Sequence, residues 1–153
     1  MTRNFSSKRW SGPDLMAPRL ESAATLLTNP LTGGPALPRF PVRVMAEEEL
    51  WAEKVRAALG RREPAIRDFY DLDYALRSKR LDLSGHDFIS LVGRKIAATG
   101  TGPEDLTEKK HAELERQVET DLKPVLRSRD LERFDLNRSW AALNALVNRL
   151  QPS

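Results

Sequence analysis

Charged side chains occupy apolar helical positions in one stretch of this chain, residues 50–74, LWAEKVRAALGRREPAIRDFYDLDY. A helix advances roughly 100° per residue, so a helix that includes the start of this stretch places Lys54 on its apolar stripe. Glu47 and Arg61 lie seven residues before and after Lys54, on the same line of the helix. The lysine then either reaches into a polar cleft or buries only its methylene stem and returns its charge to water.

Three aspartates in the second half of this stretch offer carboxylates at two spacings. Asp71 and Asp73 form D-L-D, which on a strand would present both to one face and hold Mg²⁺. On a helix they point about 200° apart and cannot chelate one ion, so we expect Asp73 to be solvated. Asp68 and Asp71 are three residues apart and share a helical face, beside Arg67.

Two helices joined by a short link bring these charges into one cleft, whose residues are Lys54, Arg61, Arg67, Asp68 and Asp71. Lysine as a point charge and arginine as a planar fork suit a triphosphate there. The alternative is a network of structural ion pairs that pins the two helices together.

The amino-acid composition excludes several other classes of functional site. The 153 residues, 40% of them hydrophobic, suffice for one modest domain or a piece of a larger protein. The sequence has no cysteine, which excludes disulfides, thiolate metal sites and a cysteine nucleophile, and its two histidines are far apart. A net charge of +3 is too mild to decide a partner. No apolar run is long enough to span a bilayer, so we expect a soluble cytoplasmic protein without membrane contact.

The N-terminal residues 1–38 hold five prolines and three glycines and are predicted to be irregular. A short helix over Pro18–Leu27 fits the spacing of its leucines and alanines. Residues Phe40–Met45 alternate as a strand with one buried face, and Pro41 favours an edge position. No other segment offers a convincing partner for this strand, so it is unpaired or its sheet lies outside these residues.

From residue 46 onward the pattern is helical. Gly60 suits the left-handed position after the first helix, Arg67 and Asp71 are spaced for an i, i+4 ion pair on the second, and Gly100 ends the third. The fold class is therefore mainly α, a bundle of about four to five helices after one short strand, with residues 39–153 as the helical domain. The predicted helices cover about 46–60, 64–80, 84 or 85 to 100, 106–122, and from 137 or 139 to the end.

The arrangement E-K-x-x-A-x-x-x-R-x-x-x-x-x-R-D-x-Y-D-L over Glu53 to Leu72 resembles the C-terminal half of the AbiEii/AbiGii-type nucleotidyltransferase toxins. These are proteins of abortive-infection and type IV toxin-antitoxin systems. The similarity begins near Phe40 and covers roughly the last two-thirds of the chain, including DLKPVLRSRDLERFDLNRSW near the end.

The resemblance implies a role for each candidate residue. Lys54 would contact the phosphates of a nucleoside triphosphate, Asp68 would complete the catalytic site and Asp71 would support it. Arg61 and Arg67 would hold the site or contact substrate. The implied reaction transfers a nucleotide from the triphosphate, with Mg²⁺, to an acceptor such as tRNA, by positioning and charge stabilisation.

One part of the family pattern is missing. The family's α+β core carries a Gly-Ser loop followed by a D-x-D pair for Mg²⁺, and the 39 residues before Phe40 contain neither. We therefore expect the chain to be inactive alone, as the remnant of a truncated toxin or one half of a split one. Its partners would be the missing N-terminal half or an antitoxin.

Two other classes remain open. A non-enzymatic helical interaction module would bind a protein partner by edge pairing of the strand Phe40–Met45. An RNA-binding accessory would bind in a strongly salt-dependent way, through Arg61, Arg62, Arg77, Lys79 and Arg80.

Overall fold

The computed structural model describes residues 15–100 and 106–150 of the chain. Within these ranges two strands precede six helices, which confirms the mainly helical class. The strands are β1 (Arg19–Ala23) and β2 (Phe40–Val44); the helices are α1 (Glu47–Gly60), α2 (Ile66–Arg77), α3 (His86–Thr99), α4 (Glu108–Gln117), α5 (Ser128–Arg133) and α6 (Leu136–Leu150). A π-helical turn, Val118–Leu122, continues α4.

The strand β2 has its partner inside the chain. It pairs antiparallel with β1, in a register that joins Arg19 to Val44 and Ala23 to Phe40. The helix predicted over Pro18–Leu27 is therefore wrong, and so is the expectation that β2 has no neighbour among these residues. The small and apolar residues of this segment recur at helical spacing, which favours a helix. The strand β1 is mostly exposed, so its sequence shows little of the apolar–polar alternation that indicates a strand.

The helix boundaries follow the sequence closely, except at some ends. Gly60 ends α1 as predicted, but the left-handed conformation expected there is wrong: among the described glycines, positive φ occurs at Gly33 and Gly100. Gly100 caps α3 with φ of 66°, as predicted. The sequence pattern does not predict the short helix α5. It predicts one continuous helix over 106–122, where the structure has α4 followed by a π-helical turn.

The core lies where α1 packs against α3 and α2 packs against α6. Leu59, Phe69 and Leu143 are almost completely buried there. The ring of Phe69 stacks on Trp140 with 5.9 Å between centroids, which fixes α2 on α6. The helix α2 also packs against α1. The two helices that carry the candidate residues are therefore held by each other, by α3 and by α6.

Asp73 contradicts its predicted exposure. Its side chain is fully buried, and its two oxygens accept hydrogen bonds at 2.8 Å from Arg77 of α2 and from Arg138 of α6. The sequence shows Arg77 one turn away but gives no sign of Arg138, 65 residues further along. A carboxylate expected in water is instead the ionic link between α2 and α6.

We expect Asp73→Ala to lower the free energy of unfolding by about 2–3 kcal/mol, because it removes two charge-assisted hydrogen bonds at a buried position. Urea denaturation of the variant measures this. Glu119→Ala is the matched control, since Glu119 forms an exposed i, i+4 pair with Lys123, and such pairs contribute about 0.5 kcal/mol or less. Equal losses in the two variants would contradict a special role for the buried link.

Candidate charged cleft between the first two helices

Lys54 and Asp71 join α1 to α2. The ammonium Nζ of Lys54 donates to Oδ2 of Asp71 at 2.6 Å, and the two side chains are 31% and 41% exposed. Lys54 thus reaches a carboxylate across the helix pair and does more than return its charge to water. The predicted i, i+4 ion pair between Arg67 and Asp71 is wrong, because Lys54 of the neighbouring helix occupies this carboxylate.

Arg61, which directly follows α1, forms a second contact with Asp68 of α2. Nε of Arg61 lies 3.0 Å from Oδ2 of Asp68. The arginine is half-exposed, whereas the aspartate side chain is 14% exposed. Within the described residues, Oδ2 of Asp68 is buried without a hydrogen-bond partner, so this contact is an ion pair without hydrogen-bond alignment. Buried acceptors left in this way are uncommon and call for an explanation.

The environment of Asp68 disfavours its charge. Burial raises the pKa of this carboxyl above its ordinary value, and the neighbouring Asp71 adds to the rise, while the charges of Arg61 and Lys54 only partly oppose it. A carboxyl with a raised pKa beside a lysine and an arginine is typical of sites that bind or transfer charged groups.

Four of the five predicted site residues therefore come together, and one does not. Lys54, Arg61, Asp68 and Asp71 form two ion pairs across the α1–α2 contact. Arg67 is exposed, because a residue one position before Asp68 points about 100° away from it around the helix. The geometry leaves the proposed role of Arg67 without a contact to this cleft.

Gln117 connects α4 to the start of α2, and no local sequence pattern indicates this contact. Its Oε1 accepts the backbone N–H of Ile66 at 2.9 Å, and its Nε2 donates to the backbone carbonyl of Pro64 at 3.0 Å. These bonds join the end of α4 to the opening of α2. The partners are more than 50 residues apart in sequence, so no local pattern could reveal them.

Cavities also lie outside the charged cleft. One of about 520 Å³ is lined by apolar residues, among them Trp51, Phe88 and Leu91, and by six charged residues. Another, of about 850 Å³, lies between the α1–α2 link and α4, with Arg62 and Gln117 among its lining residues. Neither of these two cavities is lined by the residues of the two ion pairs.

The donor set of the cleft does not suit Mg²⁺ by itself. In residues 15–100 and 106–150 no three His, Asp or Glu side chains come together in a way that could hold a metal ion. Asp68 and Asp71 each face a cation already, and Mg²⁺ prefers an octahedral set of oxygens. Lysine and arginine at half-exposed positions match phosphate oxygens instead.

Fold and side chains together define a helical domain, preceded by a two-stranded sheet, whose first two helices hold adjacent cation–carboxylate pairs. The family described as "Nucleotidyl transferase AbiEii toxin, Type IV TA system" matches residues 13–148. Because this match covers most of the sequence, the chain belongs to that family. Comparison with curated proteins and with solved structures gave no match.

The family match confirms the resemblance drawn from Glu53 to Leu72. It also begins at residue 13 rather than near Phe40, so β1 and the loop that follows it belong to the matched region. Of the helices in the described parts of the chain, none combines the length and the apolar character needed to cross a membrane.

We expect Asp68→Asn to stabilise the protein at pH 7. The folded state raises the pKa of Asp68 above 3.8, so the ionised carboxylate costs stability above the folded pKa. That cost disappears below the unfolded pKa, where both states are protonated. The gain from Asp68→Asn should therefore be full at neutral pH, shrink as pH falls through the folded pKa, and vanish below about 3.8.

Urea midpoints of Asp68→Asn and the wild type between pH 3 and 8 measure this gain, with Asp87→Asn as the control because the side chain of Asp87 is fully exposed. The control should change stability by no more than about 0.5 kcal/mol. A loss of stability in Asp68→Asn at pH 7 would mean that its pair with Arg61 outweighs its burial.

Proposed function

We propose that this chain binds a nucleoside triphosphate at the α1–α2 cleft and supplies part of the site of a nucleotidyltransferase toxin. Membership of the family gives the class of activity and implies a cognate antitoxin. The observation that carries the proposal is the pair of adjacent contacts, Lys54 to Asp71 and Arg61 to Asp68. They lie where α1 and the residue that follows it meet α2, and both helices pack against the core.

The cations of this cleft are available to a ligand. Both partners of the Lys54–Asp71 pair keep about a third or more of their side-chain surface exposed, and exposed pairs contribute only about 0–1 kcal/mol. Replacing Asp71 by a phosphate oxygen on Lys54 therefore costs little. Arg61 is half-exposed and presents a planar fork that binds phosphate through two hydrogen bonds.

The two carboxylates take different parts in the proposal. Asp68, whose buried Oδ2 lacks an aligned donor, is the acid that completes the catalytic site. Asp71 holds the ammonium group of Lys54 at the cleft until the triphosphate arrives. Arg61 then balances the charge of Asp68 and contacts phosphate, and Arg67, which faces solvent, contacts the acceptor.

Transfer requires groups beyond this cleft. The family is a nucleotidyltransferase family, and metal-assisted transfer draws on carboxylates that hold Mg²⁺. Since the cleft does not provide such a set, we propose that the D-x-D carboxylates come from outside these 153 residues, either on another polypeptide or on further sequence of the same protein. Nucleotide transfer then needs both parts, with tRNA as the proposed acceptor and abortive infection as the biological role.

We expect Lys54→Ala to weaken binding of ATP by about 10- to 100-fold, since one charge-assisted hydrogen bond contributes about 1.5–3 kcal/mol. Isothermal titration calorimetry with the four nucleoside triphosphates measures this and reports which base is preferred. The control is Lys123→Ala, because Lys123 forms an ion pair with Glu119 at 2.7 Å, nearly the same length. Unchanged affinity in Lys54→Ala would remove the proposed site.

A second candidate function, partner binding, is favoured by the region from β1 to β2. Six large apolar side chains there are between 44% and 99% exposed: Leu20, Leu26, Leu27, Leu31, Leu37 and Phe40. The loop that carries four of them is ordered by backbone hydrogen bonds such as Asn29 N–H to Gly34 and Ala36 N–H to Leu27. Clustered exposed apolar side chains are typical of interaction surfaces.

We expect this apolar surface to cause concentration-dependent association of the wild-type chain, which the double variant Leu26→Lys with Leu31→Lys abolishes. Sedimentation velocity over a range of concentrations detects the association. Val125→Lys is the control, because Val125 is 65% exposed but lies outside the region from β1 to β2. A wild-type chain that stays monomeric at every concentration would count against an interaction surface at these apolar side chains. Lys54→Ala should leave the association unchanged.

The structure supports the RNA-binding hypothesis less than it supports nucleotide binding or partner binding. Arg77 is bound to the buried Asp73, and Arg80 lies 3.9 Å from Glu47. Part of the predicted basic surface is thus already neutralised within the fold.

A further inference from the structure

The side chain of Gln117 supplies a cap that α2 lacks. The residue before this helix, Ala65, has no side-chain group to accept a backbone N–H, and the first N–H groups of a helix have no partner within it. Gln117 Oε1 accepts the first of them, from Ile66, while its Nε2 donates to the carbonyl of Pro64. One amide therefore binds both sides of the α2 entry.

The orientation of this amide is determined by a third contact. Nε2 of Gln117 also donates to Oε1 of Glu113 at 3.0 Å, and the guanidinium of Arg116 donates to both oxygens of Glu113 at 2.6 and 3.0 Å. The hydrogen bonds from Arg116 and Gln117 lower the pKa of Glu113 to about 2. Glu113 is thus an ionised acceptor, and reversing the amide would set an oxygen against that carboxylate.

The backbone around Gln117 is anchored as well. Immediately after it the helix changes to the π-helical turn Val118–Leu122, and Leu122 at the end of that turn is buried. This turn contacts α2. Helical irregularities of this kind are frequent near functional sites, and here the turn holds the end of α4 against the start of α2.

The turn that Gln117 caps is the turn that carries Asp68. Asp68 is the third residue of α2, and its own N–H donates to the carbonyl of Ala65 at 3.0 Å. A shift of the α2 entry therefore moves Asp68 relative to Arg61, which lies before the entry on the α1–α2 link. We propose that Gln117 is a positioning residue of the nucleotide site, which sets the distance between Asp68 and the two cations across the cleft.

This inference rests on the proposed function for its binding readout but has a second readout that does not. Gln117→Met keeps the length of the side chain and removes its hydrogen bonds. We expect a several-fold weaker affinity for ATP. We also expect a changed titration of the Asp68 carboxyl in ¹³C NMR spectra, because its ion pair with Arg61 loosens. The titration is read without any nucleotide.

The matched control is Thr107→Ala. Thr107 caps the other end of α4 through Lys110 N–H at 3.3 Å, so its loss destabilises the same helix without touching α2. We expect Thr107→Ala to keep both the ATP affinity and the Asp68 titration. Gln117→Met that behaves like wild type, or that shifts both readouts no more than Thr107→Ala does, would overturn the inference. Absence of ATP binding in the wild type would refute the proposed function instead, while the Asp68 titration still decides the role of Gln117.

Discussion

The buried carboxylate of Glu49 determines how α1 is rotated, and the positions of the other charges depend on that rotation. Its oxygens accept hydrogen bonds from Lys95 of α3 at 2.5 Å and from the backbone N–H groups of Leu15 and Met16. Burial raises the pKa of Glu49, but the hydrogen bonds from Lys95 and from the two backbone groups outweigh it and lower the pKa. The carboxylate therefore stays ionised inside the fold, where leaving it unpaired would cost several kcal/mol. Lys54 follows five residues later, about 140° around the helix, so a glutamate held towards α3 directs the lysine towards α2.

The helix α2 is oriented by the same kind of constraint from the other side. Asp73 is buried between Arg77 and Arg138, which faces it from α6. Asp71, two residues earlier and about 200° away, must then face α1, where Lys54 meets it. The D-L-D sequence thus serves two separate contacts and no shared metal ion. Fixed rotation of both helices brings the two cation–carboxylate pairs side by side.

Local periodicity predicted what depends on one helix, and failed where a distant partner decides. The extent of α1 and the shared face of Asp68 and Asp71 follow from a spacing of 3.6 residues per turn. The prediction that Asp73 is solvated fails because its partner Arg138 lies 65 residues away in the sequence, where no local pattern indicates the contact. The strand β1 was taken for a helix because its structure comes from pairing with β2 rather than from its own composition. The contact of Gln117 could not be predicted for the same reason, because Gln117 and the N–H of Ile66 that it caps are 51 residues apart in sequence.

This fold contains ion pairs with a buried acid and ion pairs that stay partly exposed. The difference between them bears on whether the cleft only holds α1 and α2 together. Where the fold uses charge to hold elements together, it buries the acid: Glu49 and Asp73 are at most 1% exposed and are satisfied by two or more donors. The cleft is built differently, because Lys54 and Asp71 remain partly exposed and the buried Oδ2 of Asp68 has no aligned donor. An arrangement selected for stability alone would not keep a carboxyl whose burial raises its pKa, since such a group costs stability when ionised. Proteins keep costs of this kind mainly at functional sites, which supports the proposal that Lys54 and Arg61 are held ready for phosphate and that Asp68 is kept for chemistry.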